Sequence, residues 1–218
     1  MVFDDLVALV SDVSATEIDL RRENLVDHQR VLDEVLKRSD VLPFSFGTVA
    51  ASDDEVRDLL LRDGYGTLCE QLDLIRGCVE VALKVVWDEE RLFMEIADEN
   101  EEVRLLRDAI AQLPDDLAAG EKIALGQLTE AEIALKSEWE ADQLLITLEQ
   151  HAVDLLVTPN LGDTMLLNAA FMVKRTHEDE FDGAVFGLGA AHAGRLIFNY
   201  VGPLPPYSFI NLVFQPEG

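Results

Sequence analysis

The clearest alternation of apolar and polar positions lies in residues 78–88, which read CVEVALKVVWD. The aliphatic residues of this stretch stand at every second position: Val79, Val81, Leu83 and Val85. A period of two places successive side chains on opposite faces of a β-strand. The pattern therefore predicts a strand with one buried face and a second face that carries Glu80 and Lys84.

Weaker patterns before this strand predict further strands and helices. The predicted strands cover residues 6–13 and 41–49, and the predicted helices cover 20–37, 53–62 and 67–75. An order of strand, helix, strand, helices and strand is typical of a small ferredoxin-like α/β sandwich. We therefore predict an N-terminal domain of this type over residues 1–88.

The second half of the chain predicts longer helices and a small antiparallel sheet. The helices are predicted at residues 89–112, 117–151 and 177–191, and the strands at 164–174, 195–201 and 207–214. The predicted fold class is α+β, with a C-terminal α+β domain of long helices over residues 89–218.

The proline-free stretch 117–151 carries apolar residues at steps of four, three, four and four. They are Ala124, Leu128, Ala131, Leu135 and Trp139. This spacing is typical of the face that an amphipathic helix packs against a core. Thr129 and Glu132 also fit a capping box, so the stretch forms either one long helix or two shorter ones.

The charge balance excludes several classes of partner. The chain of 218 residues has 43 acidic and 17 basic side chains, and its formal net charge is −26. Nucleic acids and anionic membranes are bound through Lys and Arg, so neither is an expected partner. No apolar run approaches the roughly 18 residues of a membrane span, and the first residues lack a basic signal-peptide segment. We therefore expect a cytoplasmic protein.

The acidic residues are spread along the chain, which leaves three interpretations. They form a surface adapted to high salt, an acidic binding face, or a surface that is merely soluble. Five of the basic residues are lysine and 12 are arginine. Scarce lysine with abundant aspartate favours salt adaptation, because high salt screens the repulsion among so many carboxylates.

No arrangement of residues predicts a catalytic, cofactor-binding or metal site. Cys69 and Cys78 lack a CxxC pattern or a paired histidine and are predicted to be small buried side chains. His28 faces apolar neighbours on its helix, which is typical of a partly buried, hydrogen-bonded histidine. The acidic run 177–182 lacks the spacing of a calcium loop and suits the first turn of a helix. A small-molecule enzyme centred on His28 stays open as an alternative, because ferredoxin-like folds host many activities.

The most aromatic stretch, YVGPLPPYSFINLVF, lies at residues 200–214. Its aromatic residues are expected first in the core and in strand pairing. A protein interface is the second interpretation for whichever of them are exposed. The candidate interaction residues are Tyr200, Pro205, Pro206, Tyr207, Phe209 and Phe214.

Six stretches, in order along nearly the whole chain, together resemble the gas vesicle protein F/L family. They are LVALVSDV, NLVDHQRVLDEVL, VLPFSFGTV, CVEVALKVVW, MLLNAAFMV and the ending RLIFNYVGPLPPYSFINLVF. The His28 helix followed by LPFSFG, and the ending with its prolines, are the most specific of them. The acidic composition favours a haloarchaeal member, and the short length of the chain favours the F branch, although the L branch stays open.

The resemblance implies a non-enzymatic accessory or minor structural protein of gas vesicle assembly with the two-domain fold described above. The implied partners are the small hydrophobic shell protein and other vesicle accessory proteins, and the implied location is the gas vesicle or the cytoplasm. The ending would close the sheet of the C-terminal domain, and no catalytic or cofactor residues are implied. An acidic regulator of a basic protein is a further alternative, although the even spread of acid counts against it.

Family members usually begin with an additional strand upstream of LVALVSDV, and that opening is absent here. In a ferredoxin-like sheet the missing strand would be an interior one, and its loss would expose backbone donors and acceptors. We expect that the true start lies upstream of Met1. A rearranged sheet, or a strand supplied by another chain, is the alternative.

Overall fold

The computed structural model describes residues 1–13, 19–114, 118–160, 162 and 164–212. The chain forms two compact units. Unit 1 consists of residues 1–80 and the C-terminal segment from Gly202 onward, and unit 2 of residues 81–201. Helices and strands are mixed along the chain, so the predicted α+β class is confirmed. The units are bounded differently from the predicted division into 1–88 and 89–218, which stays a prediction.

Unit 1 begins with a short hairpin and continues with helices. Its elements are β1 (Val2–Phe3), β2 (Leu6–Val7), α1 (Arg22–Leu36), α2 (Asp53–Glu55), a π-helix (Val56–Asp63) and α3 (Tyr65–Leu74). Strands β1 and β2 pair antiparallel around a turn in which Asp4 has a φ of 52°. Aspartate tolerates this left-handed conformation better than most residues, which suits it to a two-residue turn.

Two strands predicted in unit 1 differ from the structure: one is shorter than predicted and the other is absent. The strand predicted at 6–13 is limited to β2, and residues 41–49 form no strand. Residues 41–49 instead lie beside α1, where the carbonyl oxygen of Phe44 receives a hydrogen bond from His28 at 3.1 Å. Pro43 removes a backbone donor from this segment, which weakens any strand pairing there.

Unit 2 contains most of a four-stranded sheet and four helices. Its elements are β3 (Cys78–Trp87), α4 (Glu89–Glu99), α5 (Glu101–Ile110), α6 (Ala119–Glu149), β4 (Asp154–Val157), β5 (Met165–Lys174), α7 (Glu178–Ala191) and β6 (Leu196–Leu204). The strand order is β4-β5-β3-β6, and residues 78–80 and 202–204 of β3 and β6 belong to unit 1. Strands β4 and β5 pair antiparallel, with Asp154 opposite Met172.

The core of unit 2 lies between this sheet and its helices. It joins 18 buried residues, including Leu83, Leu144, Phe171 and Phe181. The predicted strand at 78–88 is confirmed, but its predicted polar face is only partly so. Lys84 is exposed, whereas Glu80 is buried with 5% of its surface accessible.

The helix predicted at 89–112 is divided into α4 and α5 at Asn100. The side-chain oxygen of Asn100 accepts hydrogen bonds from the backbone N–H groups of Glu102 at 2.9 Å and Val103 at 3.1 Å. This is the geometry of an N-cap, for which asparagine is among the preferred residues. The cap satisfies the free donors of a new helix start, so one predicted helix becomes two.

The long stretch forms one continuous helix, α6, but its predicted buried face is wrong. The residues that α6 buries are Glu140, Leu144 and Leu148. Of the predicted stripe, Leu128 is partly buried, and Ala124, Ala131, Leu135 and Trp139 are exposed. Two faces of α6 carry apolar residues, and their spacing alone does not tell which one meets the core.

The C-terminal segment does not form the predicted last strand over 207–212. A 3-10 turn covers Tyr207–Phe209, and residues 210–212 have no strand partner among the described residues. The expectation that the ending closes the sheet of the C-terminal domain therefore holds for β6, which forms one edge of the four-stranded sheet, and is wrong for residues 207–212, which belong to unit 1. Phe214 lies outside the described residues.

Candidate protein-interaction surfaces

In the C-terminal segment, a cis Gly202–Pro203 peptide bond lies near the end of β6, and Pro205 and Pro206 follow the strand. Pro205 and Pro206 are buried, so in this conformation they form packing and not accessible surface. Tyr207 is exposed, and Phe209 is half-buried. Among the described candidate residues of this segment, Tyr207 has the most exposed ring.

A buried carboxylate holds this segment in unit 1. Glu80 accepts two hydrogen bonds from Ser208, one from the backbone N–H at 2.7 Å and one from the hydroxyl at 2.8 Å. Burial raises the pKa of Glu80 above its ordinary value, and both donations from Ser208 oppose that rise. A further hydrogen bond also ties the segment to unit 1: the N–H of Asn211 donates to the side-chain oxygen of Gln71 at 3.2 Å.

Tyr200, the remaining candidate, packs within unit 2. Its hydroxyl donates to a carboxylate oxygen of Asp182 at 2.5 Å, and its ring lies 6.3 Å from those of Phe181 and Phe186. Burial, followed by the bond to Asp182, raises the pKa of the hydroxyl. Tyr200 therefore belongs to unit 2 and Tyr207 to unit 1, and they are separate candidates.

His28 is half-buried and bonded. Its Nε2 donates to the carbonyl oxygen of Phe44, and the ring meets that of Phe46 edge-on at 5.6 Å between centroids. The groups that would make His28 a general base are a substrate pocket and an orienting carboxylate. Two depressions among the described residues lie elsewhere, along α5 and at the end of α6, and both are open to solvent.

A polar network in unit 2 was not predicted from the sequence. Arg195 donates to both carboxylate oxygens of Glu95, at 2.6 and 2.8 Å, and to Glu140 at 2.7 Å. Lys136 lies 3.2 Å from Glu95, and the cations of Lys136 and Arg195 stand 5.9 and 5.5 Å from the Trp87 ring. The hydrogen bonds from Arg195 lower the pKa of Glu95. The residues of this network are far apart in sequence, so no local sequence pattern predicts the network.

The second unpredicted feature is an apolar stripe on the exposed face of α6. Leu135, Trp139 and Ile146 have 63%, 61% and 52% of their surfaces accessible. We call these three residues the α6 stripe. The spacing of Leu135 and Trp139 is a sequence signal for this face, but the sequence alone predicts that the face packs against the core. Single exposed apolar residues are common on protein surfaces, whereas several large ones on one helix face indicate an interaction surface.

Two further findings bound what the described residues can do. They contain no group of three or more His, Cys, Asp or Glu side chains arranged to hold a metal ion. Among the helices in the described ranges, none has the length and apolar character needed to cross a membrane. The fold and the surfaces thus define an acidic α+β protein with exposed apolar residues.

The chain matches the family described as gas vesicle synthesis protein GvpL/GvpF over residues 1–211. A gas vesicle protein F from Streptomyces sp. strain CB03234 is 32% identical over 94% of this chain and 84% of its own length. The crystal structure of GvpF from Anabaena sp. PCC7120 matches with a TM-score of 0.79 at 25% identity, covering 90% of this chain and 80% of that one. GvpF from Microcystis aeruginosa matches with a TM-score of 0.74 at 25% identity, covering 93% of this chain and 84% of that one.

The chain therefore belongs to the GvpL/GvpF family of gas vesicle proteins, as the resemblance implied. Relatives named gas vesicle protein F come from both bacteria and haloarchaea, and one haloarchaeal relative is named gas vesicle protein L2. The assignment to a haloarchaeal F-type member stays a prediction.

Proposed function

We propose that this chain is a non-enzymatic accessory protein of gas vesicle assembly that binds the small hydrophobic shell protein or another vesicle protein. The observation that carries the proposal is the family match over residues 1–211, supported by the likeness to solved GvpF structures. Membership of this family makes vesicle proteins the natural partners. The site of action is then the gas vesicle or the cytoplasm in which it forms.

The surface chemistry supports such a role. A protein that handles an apolar partner needs exposed apolar residues for contact and a strongly charged remainder to keep the complex dispersed. This chain has both, with the α6 stripe and Tyr207 exposed and a formal net charge of −26. Binding of this kind requires no general base or metal. Exposed apolar residues and surface charge, both present in the described residues, are sufficient for it.

The test is co-purification from cells that co-express the tagged full chain and the small gas vesicle shell protein. We expect the shell protein to be recovered with the bait, and recovery in molar salt would indicate that apolar contacts dominate. A folded bait that recovers no vesicle protein at any salt concentration would overturn the proposal. Cells that express the shell protein with the tag alone provide the background.

Tyr207→Ser tests the candidate in the C-terminal segment. We expect it to lower recovery of the shell protein, because it removes an exposed ring without removing a hydrogen-bonded group of the core. Val49→Ser is the matched control, since Val49 is another exposed apolar residue of unit 1. Equal recovery with both variants would exclude Tyr207 as a contact.

A further inference from the structure

Helix α6, which runs from Ala119 to Glu149, has one buried face and one exposed face. Successive residues of an α-helix are about 100° apart, so Glu140, Leu144 and Leu148 share one face. That face is buried in unit 2. Leu135, Trp139 and Ile146 fall within an arc of about 40° on the opposite side. The α6 stripe is therefore a separate surface and not the rim of the core.

The stripe is long enough to hold a partner helix. Leu135 and Ile146 are 11 positions apart, which corresponds to about 16 Å, or three turns. Ala124 and Ala131 extend the same face toward the start of α6, and both are exposed. Their small side chains allow close approach of another helix, whose ridges pack into the grooves beside the stripe.

The charges along the stripe have one sign. Glu138, Asp142 and Glu149 lie on the same face as the stripe, and all three are exposed. In the described part of the chain, none of the three forms an ion pair with a basic side chain. Lys136, a near neighbour in sequence, is already paired with Glu95 and Glu99. The stripe is therefore apolar with an acidic border.

We propose that the α6 stripe docks an amphipathic α-helix of a partner whose apolar face is bordered by Lys or Arg. The inference rests on the proposed function and adds to it the binding surface and the chemistry of the segment bound. Charge complementarity selects this occupant, because basic residues beside an apolar face would meet Glu138, Asp142 and Glu149. A second copy of this chain would bring the same carboxylates against them, and like charges in contact disfavour docking.

Trp139 makes the proposal directly measurable. The protein has two tryptophans, and Trp87 is buried while Trp139 is exposed. The probe is an 18-residue peptide of leucine and lysine, arranged so that leucine forms one face of a helix. We expect it to shift the emission of Trp139 to shorter wavelength as the ring leaves water. Two control peptides are a scrambled sequence of equal composition and a leucine–glutamate analogue, and neither should produce the shift.

The variant pair separates docking from simple attraction of a basic peptide to an acidic protein. Leu135→Ser/Ile146→Ser removes the apolar stripe and keeps the reporter, and we expect the peptide to bind about tenfold more weakly or worse. Ile123→Ser/Leu105→Ser is the matched control. Ile123 is 64% accessible, lies on α6 about 120° from Leu135, and is not in the stripe. Leu105 lies on α5 and is equally exposed.

Equal affinities for the two double variants, or a shift of the same size with the scrambled peptide, would overturn the proposal. Glu138→Gln/Asp142→Asn/Glu149→Gln provides a second measurement, and we expect it to reduce the salt dependence of peptide binding. An unchanged salt dependence would contradict the charge pairing. Circular dichroism of each variant establishes that it is folded.

Co-purification of the shell protein distinguishes this inference from the proposed function. If the parent chain recovers the shell protein and Leu135→Ser/Ile146→Ser recovers as much, the proposed function stands and the α6 docking surface is wrong. If the parent chain recovers neither the shell protein nor another vesicle protein, the proposed function fails, whatever the peptide shows. A selective loss of recovery with the stripe variant supports both.

Discussion

The two units differ in what holds them together. Unit 2 has a single apolar core of 18 buried residues, whereas the cluster in the described part of unit 1 joins only Leu6, Leu61 and Leu68 as fully buried members. Hydrogen bonds between distant segments occur in both units, for example from Ser208 to Glu80 in unit 1 and from Arg195 to Glu140 in unit 2. Burying a large apolar side chain contributes about 1.5–3 kcal/mol, and a hydrogen bond about 1 kcal/mol net. Unit 1 should therefore open more readily than unit 2.

The largest expected effect tests this difference directly. Phe181→Ala removes a ring that is fully buried and packs 5.1 Å from the Phe171 ring, and it should lower the free energy of unfolding by about 3–5 kcal/mol. Leu68→Ala in unit 1 should cost about 2 kcal/mol, because its smaller cluster can relax around the cavity. Urea unfolding measures both values.

Hydrogen exchange shows where each change acts. With Leu68→Ala, faster exchange is expected in residues 19–80 and 202–212, while the central strand β5 stays protected. With Phe181→Ala, protection should fall throughout unit 2. Equal losses of protection in both units for both variants would break the proposed difference.

The next effect concerns the polar network of unit 2. Arg195→Met leaves Glu140, which is buried, without its cation and should cost about 3 kcal/mol. Adding Glu140→Gln should recover part of that loss, because the remaining partner is then neutral. Arg107→Met is the control, since its pair with Asp108 is solvent-exposed and should be worth less than about 1 kcal/mol. An Arg195→Met effect as small as the control would show that the network does not stabilise unit 2.

The same difference explains which parts of the fold could be predicted from the sequence. β5 and α7 are confirmed almost to their ends, because long periodic segments against a large core leave little choice of conformation. The strand predicted at 41–49 and the described part of the last predicted strand, residues 207–212, are wrong, because tertiary hydrogen bonds through His28 and Ser208 hold those segments instead. The bond from Ser208 joins residues 128 positions apart, and local patterns carry no information about such distant partners.

The sequence also does not show which face of a helix is buried, and this affected the prediction of the candidate surfaces. The spacing on α6 shows apolar residues on two faces, and the core face includes the acidic Glu140, which looks like a surface residue. Only Arg195, 55 positions later, makes burial of that carboxylate possible. Burial of Pro205 and Pro206 likewise depends on tertiary packing. The sequence could therefore indicate these prolines as candidate interaction residues but could not predict that they are buried.

A smaller effect, confined to unit 1, should depend on pH. The unfolded chain titrates Glu80 near 4.5, and burial raises the pKa in the folded state. Between these two values the folded state binds more protons than the unfolded state, so the free energy of unfolding falls as pH rises. Glu80→Gln cannot titrate, and the stability of the parent chain minus that of the variant should therefore decrease with rising pH from about 4.5 upward.

Urea unfolding of both proteins across pH 4 to 8 measures this difference, with Glu70→Gln as an exposed control. Ser208→Ala should cost about 1 kcal/mol at neutral pH, because the carboxylate loses the hydroxyl donor. A stability difference between the parent chain and Glu80→Gln that does not change with pH would contradict the assignment of Glu80 as a buried, titrating anchor.

The smallest effect compares two tyrosines that lie seven positions apart but in different units. Tyr200→Phe removes the hydroxyl that donates to Asp182 and should cost about 1 kcal/mol, because the bond is charge-assisted and half-buried. Tyr207→Phe should cost less than about 0.5 kcal/mol, since among the described residues its hydroxyl has no hydrogen-bond partner and its ring is exposed. Thermal unfolding of the two variants measures the contrast. A larger loss at Tyr207 than at Tyr200 would mean that the hydroxyl of Tyr207 is a structural group of unit 1, and Tyr207 would then be a poor candidate for the contact surface.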